Sequence, residues 1–284
     1  MMRFLCLACL ILSSALGVSA STSDPAAAAA VAQVSPPAEL SEPVTPVAAP
    51  VAATVKSNDI PKKVAVLVSM ALAFNSGYSN GVCLGTGIGG ANQAVAAVTG
   101  AWTTSAYNMA KGNTAPAFVQ IKALLSYMGG SAIAGCMIPN PTAFKLSETT
   151  GQTFLIGAGL MLAASQLAEK AGAGATNKLC FYLALMANGL QNSVTSVHTA
   201  NLCRSAHFSG ITSDMGTFMG QCLRGNKENL FKLKVFALLA LSFWGGGFSS
   251  FFVTQKFDNG SGLYASAALY LAIGLHLVMR KGLW

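Results

Sequence analysis

Residues 64–110 read VAVLVSMALAFNSGYSNGVCLGTGIGGANQAVAAVTGAWTTSAYNMA, and these 47 positions contain no charged side chain. One membrane-spanning helix needs about 20 apolar residues. The stretch therefore predicts one span followed by a second, more polar segment that contains glycine. It decides the fold class, because a soluble domain would expose charged residues along so long a segment.

The composition of the whole chain agrees with this class. Of 284 residues, 53% are hydrophobic and only 9% are charged, whereas soluble domains carry about 25% charged residues. This excludes an ordinary soluble enzyme and makes the lipid bilayer the first expected partner. The formal net charge of +8 reports the orientation of loops rather than an affinity for nucleic acid, and no nucleic-acid partner is expected.

Further uncharged runs follow the first, and we interpret them as membrane spans: 123–144, 151–168, 179–197, 235–253 and 262–279. Together with about 64–84 they predict an all-α membrane protein with about six transmembrane helices. Two segments, about 92–110 and 205–222, are too polar for routine spans and too poor in charge for routine loops. They are expected to be re-entrant or broken helices; if both cross fully, the alternative is eight crossings.

Similar motifs in the two halves suggest an internal repeat. Residues 77–82 (GYSNGV) resemble residues 189–194 (GLQNSV) at an offset of 112, and Thr99-Gly100 aligns with Ser209-Gly210. The predicted repeats cover about 64–168 and 179–280. Three spans in each repeat would invert the second copy, as in many secondary transporters. Four spans in each would make the copies parallel.

The N-terminal region differs in composition from the membrane domain. Residues 1–20 are expected to be a signal peptide, with Arg3 before an apolar run and a small-residue cleavage site. Residues 21–60 are expected to be a disordered tail rich in Ala and Pro, and 61–284 the polytopic domain. A cleaved signal implies a secretory route, to an endomembrane or the plasma membrane. The alternative is an organelle membrane such as the plastid envelope.

The orientation of the tail has two opposing indications. Counting Lys and Arg in the predicted loops places the tail and the C-terminus on the cytosol-like side, for six spans and for eight. A cleaved secretory signal would instead leave the tail in the lumen. The sequence leaves this orientation open.

Ionisable groups in membrane segments are costly and usually functional. His207 and Asp214, seven residues apart, would share a helix face and could bind a cation or polar solute or relay protons. The alternative is an interfacial pair that anchors a loop. The candidate substrate- or ion-binding residues are His207, Asp214, Asn192, Gln191, Asn80, Thr99 and Ser209. For the amides, hydrogen bonding between helices is the alternative role.

A glycine occurs at every fourth position from Gly77 through Gly81, Gly85 and Gly89. On a helix these residues would form a flat stripe that lets another helix approach closely; the alternative is a point where the helix unwinds. Residues 85–90 also satisfy G-x-G-x-x-G. No acidic residue occurs between Asp59 and Glu148, however, and the βαβ context of a dinucleotide site is missing.

Signatures of catalysis and metal binding are not found. The chain has no C-x-x-C, Walker A, G-x-S-x-G or H-E-x-x-H motif, and its cysteines are scattered. No cofactor, metal or enzymatic activity is therefore expected. An intramembrane enzyme acting on lipid would have only His207 and Asp214 to use and no evident nucleophile.

The second polar segment carries a family resemblance. Residues 189–193 (GLQNS), followed by 207–216 (HFSGITSDMG), are similar to the GLQNA-like and HMTGT-LTDLG-like motifs of the YoaK-like family of multi-pass membrane proteins. His207, Gly210, Asp214 and Gly216 match directly. Residues 98–101 (VTGA) keep only Thr and Gly of the family's earlier MTGN-like motif. The resemblance covers about 64–280 and implies a six-span protein without an assigned activity.

These observations lead to two hypotheses of function. The first is a transporter or permease for a small solute or ion, in which the two polar segments meet at a central site. The alternative is a structural or assembly protein of a specialised membrane that transports nothing. A homo-oligomer is compatible with both.

Overall fold

The computed structural model of the chain describes residues 58–59, 62–171, 178–257 and 260–279. The expected signal peptide and nearly all of the expected tail lie outside the described residues. In the described part, Asn58–Asp59 (β1) pairs antiparallel with Lys145–Leu146 (β2). All other regular structure in that part is helical.

Eight α-helices make up the described domain, in agreement with the all-α prediction. Their bounds are Lys62–Thr86 (α1), Thr99–Ala110 (α2), Thr114–Met137 (α3), Glu148–Ala171 (α4), Leu179–His198 (α5), Phe208–Leu223 (α6), Leu230–Thr254 (α7) and Leu263–Met279 (α8). A short 3₁₀ turn at Ile88–Gly90 follows α1. The six longer helices coincide with the six apolar runs, and α2 and α6 occupy the two polar segments.

By length and apolar composition, three described helices are able to cross a membrane: α3, α4 and α7. Helix α8 is equally apolar but has 17 residues. Helices α2 and α6 have 12 and 16 residues, so at 1.5 Å per residue they are about 18 and 24 Å long. The hydrocarbon core of a bilayer is about 30 Å thick. Together these features identify a helical membrane protein.

The outward surface of α7 fits contact with lipid. Trp244, Phe248 and Phe252 follow one another along its exposed face. Trp244 and Phe248 are stacked with ring centroids 5.2 Å apart, and Phe248 meets Phe252 edge-on at 5.3 Å. In water so large an apolar face would be unfavourable, whereas acyl chains solvate it.

Two helices begin earlier than the uncharged runs predicted. Helix α3 starts at Thr114 rather than near 123, and α7 starts at Leu230 rather than near 235. Lys122 on α3 and Lys232 and Lys234 on α7 interrupt the apolar runs but are exposed. Long lysine side chains near helix ends can carry their charge outward, so they need not end a helix.

The first and seventh helices are in direct backbone contact. A Cβ atom added at Gly77 would overlap the carbonyl oxygen of Phe243, and one added at Gly246 would overlap that of Phe74. Further along, a Cβ at Gly85 would lie 3.1 Å from Thr254. Gly77 thus lies against Phe243 and Gly85 against Thr254, so residue numbers rise together along the two helices, and α1 and α7 run parallel. Helix α1 continues through Gly77, Gly81 and Gly85, whereas Gly89 lies beyond it in the 3₁₀ turn with a φ of 66°.

The same kind of contact joins α3 and α5. A Cβ at Gly189 would overlap the carbonyl oxygen of Tyr127, and a Cβ at Gly130 would overlap that of Met186. The first helix of each half of the sequence therefore packs on the third helix of the other half.

Helices α4 and α8 form the third close pair, and they run antiparallel. Gly151 lies against Leu277, and Phe154 meets Tyr270 with ring centroids 6.1 Å apart. At the far end, the hydroxyl of Tyr264 donates a 2.7 Å hydrogen bond to Glu169. The main apolar core is shared by α1, α3, α4, α5 and α8.

Candidate functional site

Gln191 of α5 is the centre of a polar network buried between α1 and α5. Its side-chain oxygen accepts a 2.9 Å hydrogen bond from Asn75. Its nitrogen lies 2.7 Å from the hydroxyl of Ser76 and 2.9 Å from both the hydroxyl of Ser205 and the carbonyl oxygen of Leu72. An amide has two protons, so these three acceptors share two hydrogen bonds at any instant. Gln191, Ser76 and Ser205 are completely buried.

A second bridge lies next to the first. The hydroxyl of Ser79 donates to the side-chain oxygen of Asn188 at 3.2 Å, and the Asn188 nitrogen donates to the carbonyl of Ala184 at 2.9 Å. Since Asn75 pairs with Gln191 while Ser79 pairs with Asn188, α1 and α5 cross antiparallel. We call Asn75, Ser76, Ser79, Asn188, Gln191, Thr195 and Ser205 the polar core; all seven side chains are buried.

Asn80 and Asn192 hold the chain that leads into the two short helices. The side-chain oxygen of Asn80 accepts hydrogen bonds from the backbone N–H groups of Val95 and Ala96, at 2.8 and 2.6 Å. That of Asn192 accepts one from the N–H of Ala206 at 3.1 Å. Both asparagines thus satisfy backbone donors that would otherwise be buried without a partner. In this structure their role is to position the segments before α2 and α6.

The remaining predicted site residues are exposed. Thr99 begins α2, and His207, Ser209 and Asp214 lie at the start or on the surface of α6. Neither His207 nor Asp214 makes a side-chain hydrogen bond to the described residues, and neither belongs to the polar core. The proposed binding of a cation or solute by this pair stays a prediction.

A cavity of about 390 Å³ lies beside the polar core, between α1, α4, α5 and α8. Its wall is mostly apolar, and its polar groups include Ser69, Thr195 and His198. Thr195 belongs to the polar core, since its hydroxyl lies 3.1 Å from that of Ser205. We call this space the central cavity. Its volume is within the usual range of small-molecule sites, about 300–1,000 Å³.

His198 closes one end of the central cavity. Its Nε2 atom lies 3.1 Å from the hydroxyl of Thr150, which fixes the ring against α4. Its Nδ1 atom is buried beside the backbone of Thr142 and Lys145. Among the described residues, no cluster of three His, Cys, Asp or Glu side chains could hold a metal ion.

Gln191 and Asn80 are among the residues predicted from the sequence, whereas Asn75, Ser76, Ser79 and Asn188 are not. A signal for them exists: polar residues recur every three or four positions in both apolar helices, which places them on one face. His198 was missed because its role depends on β2 and α4, which meet it only through tertiary folding.

Comparison with known proteins identifies the same family as the motifs did. The profile described as "Protein of unknown function (DUF1275)" matches residues 68–276, which is most of the chain. This match confirms the resemblance to the YoaK-like family. No curated protein and no solved structure matches the chain.

Proposed function

We propose that this chain, which belongs to the DUF1275 family, carries a small solute or an ion across its membrane through the central cavity. The observation that carries the proposal is the junction between that cavity and the polar core. Thr195 contributes to both, so a solute in the cavity would be one hydroxyl away from a group of buried amides. The core lies near the middle of α1, because Asn75 is almost equally far from Lys62 and Thr86.

The helix contacts support an inverted repeat, which is common in secondary transporters. Gly77 with Phe243 in one pair corresponds to Gly189 with Tyr127 in the other, and Gly246 with Phe74 corresponds to Gly130 with Met186. Asn80 and Asn192 hold equivalent backbone segments. We infer that the two halves are copies related by a two-fold axis through the α1–α5 crossing, where the helices run antiparallel.

In such an arrangement, transport would use the polar core as a reversible contact. The bridges Asn75–Gln191 and Ser79–Asn188 join the two halves directly. A solute that enters beside Thr195 and offers both a donor and an acceptor could take the place of one of these bridges. If each freed side chain then bonds to the solute, no buried group is left unpaired, and the exchange costs little. The two halves could then rock about the crossing and open the cavity to the other side.

The test is a substitution, Ser69→Trp, that places a large side chain in the central cavity. Ser69 is buried in its wall, and Leu67, two residues earlier on α1, is 62% exposed. Purified protein in liposomes would be challenged with a panel of inorganic ions and small neutral solutes. A trapped pH-sensitive dye and light scattering would report ion and solute entry. We expect flux for at least one member of the panel, lost in Ser69→Trp and retained in Leu67→Trp.

The alternative, a structural protein without transport, is favoured by the completeness of the polar core. Every one of its side chains has an internal hydrogen-bond partner, and the helices on either side touch through backbone atoms. Such a centre resists rearrangement. On this alternative, no panel member enters faster than into protein-free liposomes, and Ser69→Trp changes only stability.

A further inference from the structure

A second cavity, of about 260 Å³, lies between α2, α3 and α5 in the first half of the chain. Its floor is formed by buried side chains, including Gln120 and Ala123 of α3 and Phe181 of α5. Its rim is formed by α2, where Gly100 and Thr104 are exposed. We call this space the first-half cavity. None of its lining residues belongs to the polar core or to the wall of the central cavity.

Gln120 gives the first-half cavity its chemical character. Its side chain is 5% exposed and makes no hydrogen bond to any other described residue. A buried amide in this state is unfavourable unless something bonds to it. Gln93, also in the lining, is half-buried. The site therefore offers amide donors and acceptors in an otherwise apolar space, which is the usual design of a small-molecule site.

The second half of the chain shows that the fold does not require this space. Larger apolar side chains occupy four of the corresponding positions there: Phe208 for Val98, Ile211 for Ala101, Phe236 for Gln120 and Leu239 for Ala123. Two other positions are smaller in the second half, with Ser69 for Phe181 and Ala73 for Leu185. Ile211, Phe236 and Leu239 are buried together in a filled apolar cluster. The same helix arrangement is thus packed solid in one half and hollow in the other. The one amide among these positions, Gln120, is on the hollow side.

We propose that the first-half cavity binds a small, uncharged, polar solute through the amide of Gln120. No charged residue of the described chain lines it, so an ion would lose its hydration without gaining a counter-charge. The volume suits a solute of several heavy atoms, since liquid water occupies about 30 Å³ per molecule. This proposal rests on the correspondence between the halves and on Gln120, and not on transport through the central cavity.

The binding test measures protection of an introduced cysteine. Exposed Cys136 and half-buried Cys222 are first replaced by serine. Ala101→Cys then places a thiol in the cavity wall, and Ala106→Cys places one on the exposed side of the same helix. Methyl methanethiosulfonate, which is small and neutral, labels both. The probes are acetamide, urea and glycerol at up to about 100 mM, because so few heavy atoms support only weak binding.

We expect at least one probe to slow the labelling of the cavity cysteine by about twofold or more, which corresponds to half occupancy or better, and to leave the control cysteine unchanged. Adding Gln120→Leu, which keeps the side-chain volume but removes the amide, should abolish the protection. An unchanged labelling rate of the cavity cysteine with all three probes would overturn the proposal, and so would protection that survives Gln120→Leu.

A second measurement tests whether larger side chains can fill the first-half cavity. The double variant Ala101→Ile, Gln120→Phe places two of the larger side chains of the second half in the first-half cavity, beside Phe181 and Leu185, and should fold with a Tm no lower than that of the parent protein. Ala106→Ile is the matched surface control. A fall in Tm confined to the double variant would show that the space is not free to be filled, and would overturn the proposal. Transport through the central cavity can fail its own test without affecting either result.

Discussion

Replacing Gly77 with alanine tests the close contact between α1 and α7. An added methyl group would overlap the carbonyl oxygen of Phe243 and lie 2.8 Å from its carbonyl carbon. Carbon atoms pack best at about 3.5–4.0 Å, so the helices would have to separate by about 1 Å, which forfeits a quarter to a half of the dispersion energy at that contact. Overpacking of this kind costs about 1–3 kcal/mol. Because both obstructing atoms belong to the backbone, side-chain rotation cannot relieve the overlap.

Gly159 on α4 is the matched control, since it is exposed and a Cβ there meets no atom within 4 Å. Alanine is the better helix former by about 1 kcal/mol, so Gly159→Ala should be neutral or stabilising. Both variants gain this helix propensity, so we expect them to differ in unfolding free energy by the overpacking cost alone, about 1–3 kcal/mol. The measurement is equilibrium unfolding in mixed detergent micelles, followed by circular dichroism. If Gly77→Ala proves as stable as Gly159→Ala, the backbone contact between α1 and α7 is not present in the protein.

Four further outcomes follow from the polar core, α6 and the loops. Gln191→Leu removes the hydrogen bonds to Asn75, Ser76 and Ser205. It should lower the unfolding free energy by about 2 kcal/mol, since such bonds in membrane proteins average about 0.6 and reach about 1.7 kcal/mol each. The control Ser196→Ala, which loses a bond only within its own helix, should cost less, and equal losses would contradict the network. If His207 and Asp214 bind the solute, as the sequence predicts, Asp214→Asn should abolish flux of an identified solute, and the Tm should stay nearly unchanged because Asp214 is exposed. Full flux would remove Asp214 from the mechanism without contradicting transport through the central cavity. Cysteines introduced at positions 227 and 281 should be labelled from one side of the membrane, and a cysteine at 259 from the other; labelling of all three from one side would refute six and eight crossings alike. Native Cys203 should stay unlabelled, because burial raises the pKa of its thiol more than the hydrogen bond with Ser69 lowers it.

The helices could be predicted from the sequence, because an uncharged run of about 20 apolar residues is expected to cross the bilayer as a helix. The prediction is wrong at the starts of α3 and α7, because the uncharged runs begin after exposed lysines although both helices begin before them. The glycine stripe predicts a close approach by another helix, and in the structure Gly77 lies against the backbone of α7. It could not name Phe243 as the partner, because that contact joins positions far apart in the chain.

The site was only partly predictable, for a related reason. A single polar residue in an apolar helix, such as Gln191, is visible in the sequence, but its role depends on what faces it. Asn75 and Ser205 face Gln191 and form hydrogen bonds with it, whereas Gln120 faces an open space. Cavities depend on side-chain volumes from three or four helices at once, so neither the central nor the first-half cavity has a sequence signal of its own.

The exchange of partners between the two halves has a consequence for biosynthesis. Helix α1 is made first, yet the surface of Gly77 and Gly81 is covered by α7, which is made after five other helices. Until then this small-residue face lies open to lipid or to the insertion machinery. Because the first helix of each half packs on the other half, a chain that stops after α4 would contain α1 and α3 without the helices that cover their glycines. The two halves therefore become stable together, late in synthesis, and a ribosome that stalls between them leaves a fragment for quality control rather than a half-sized protein.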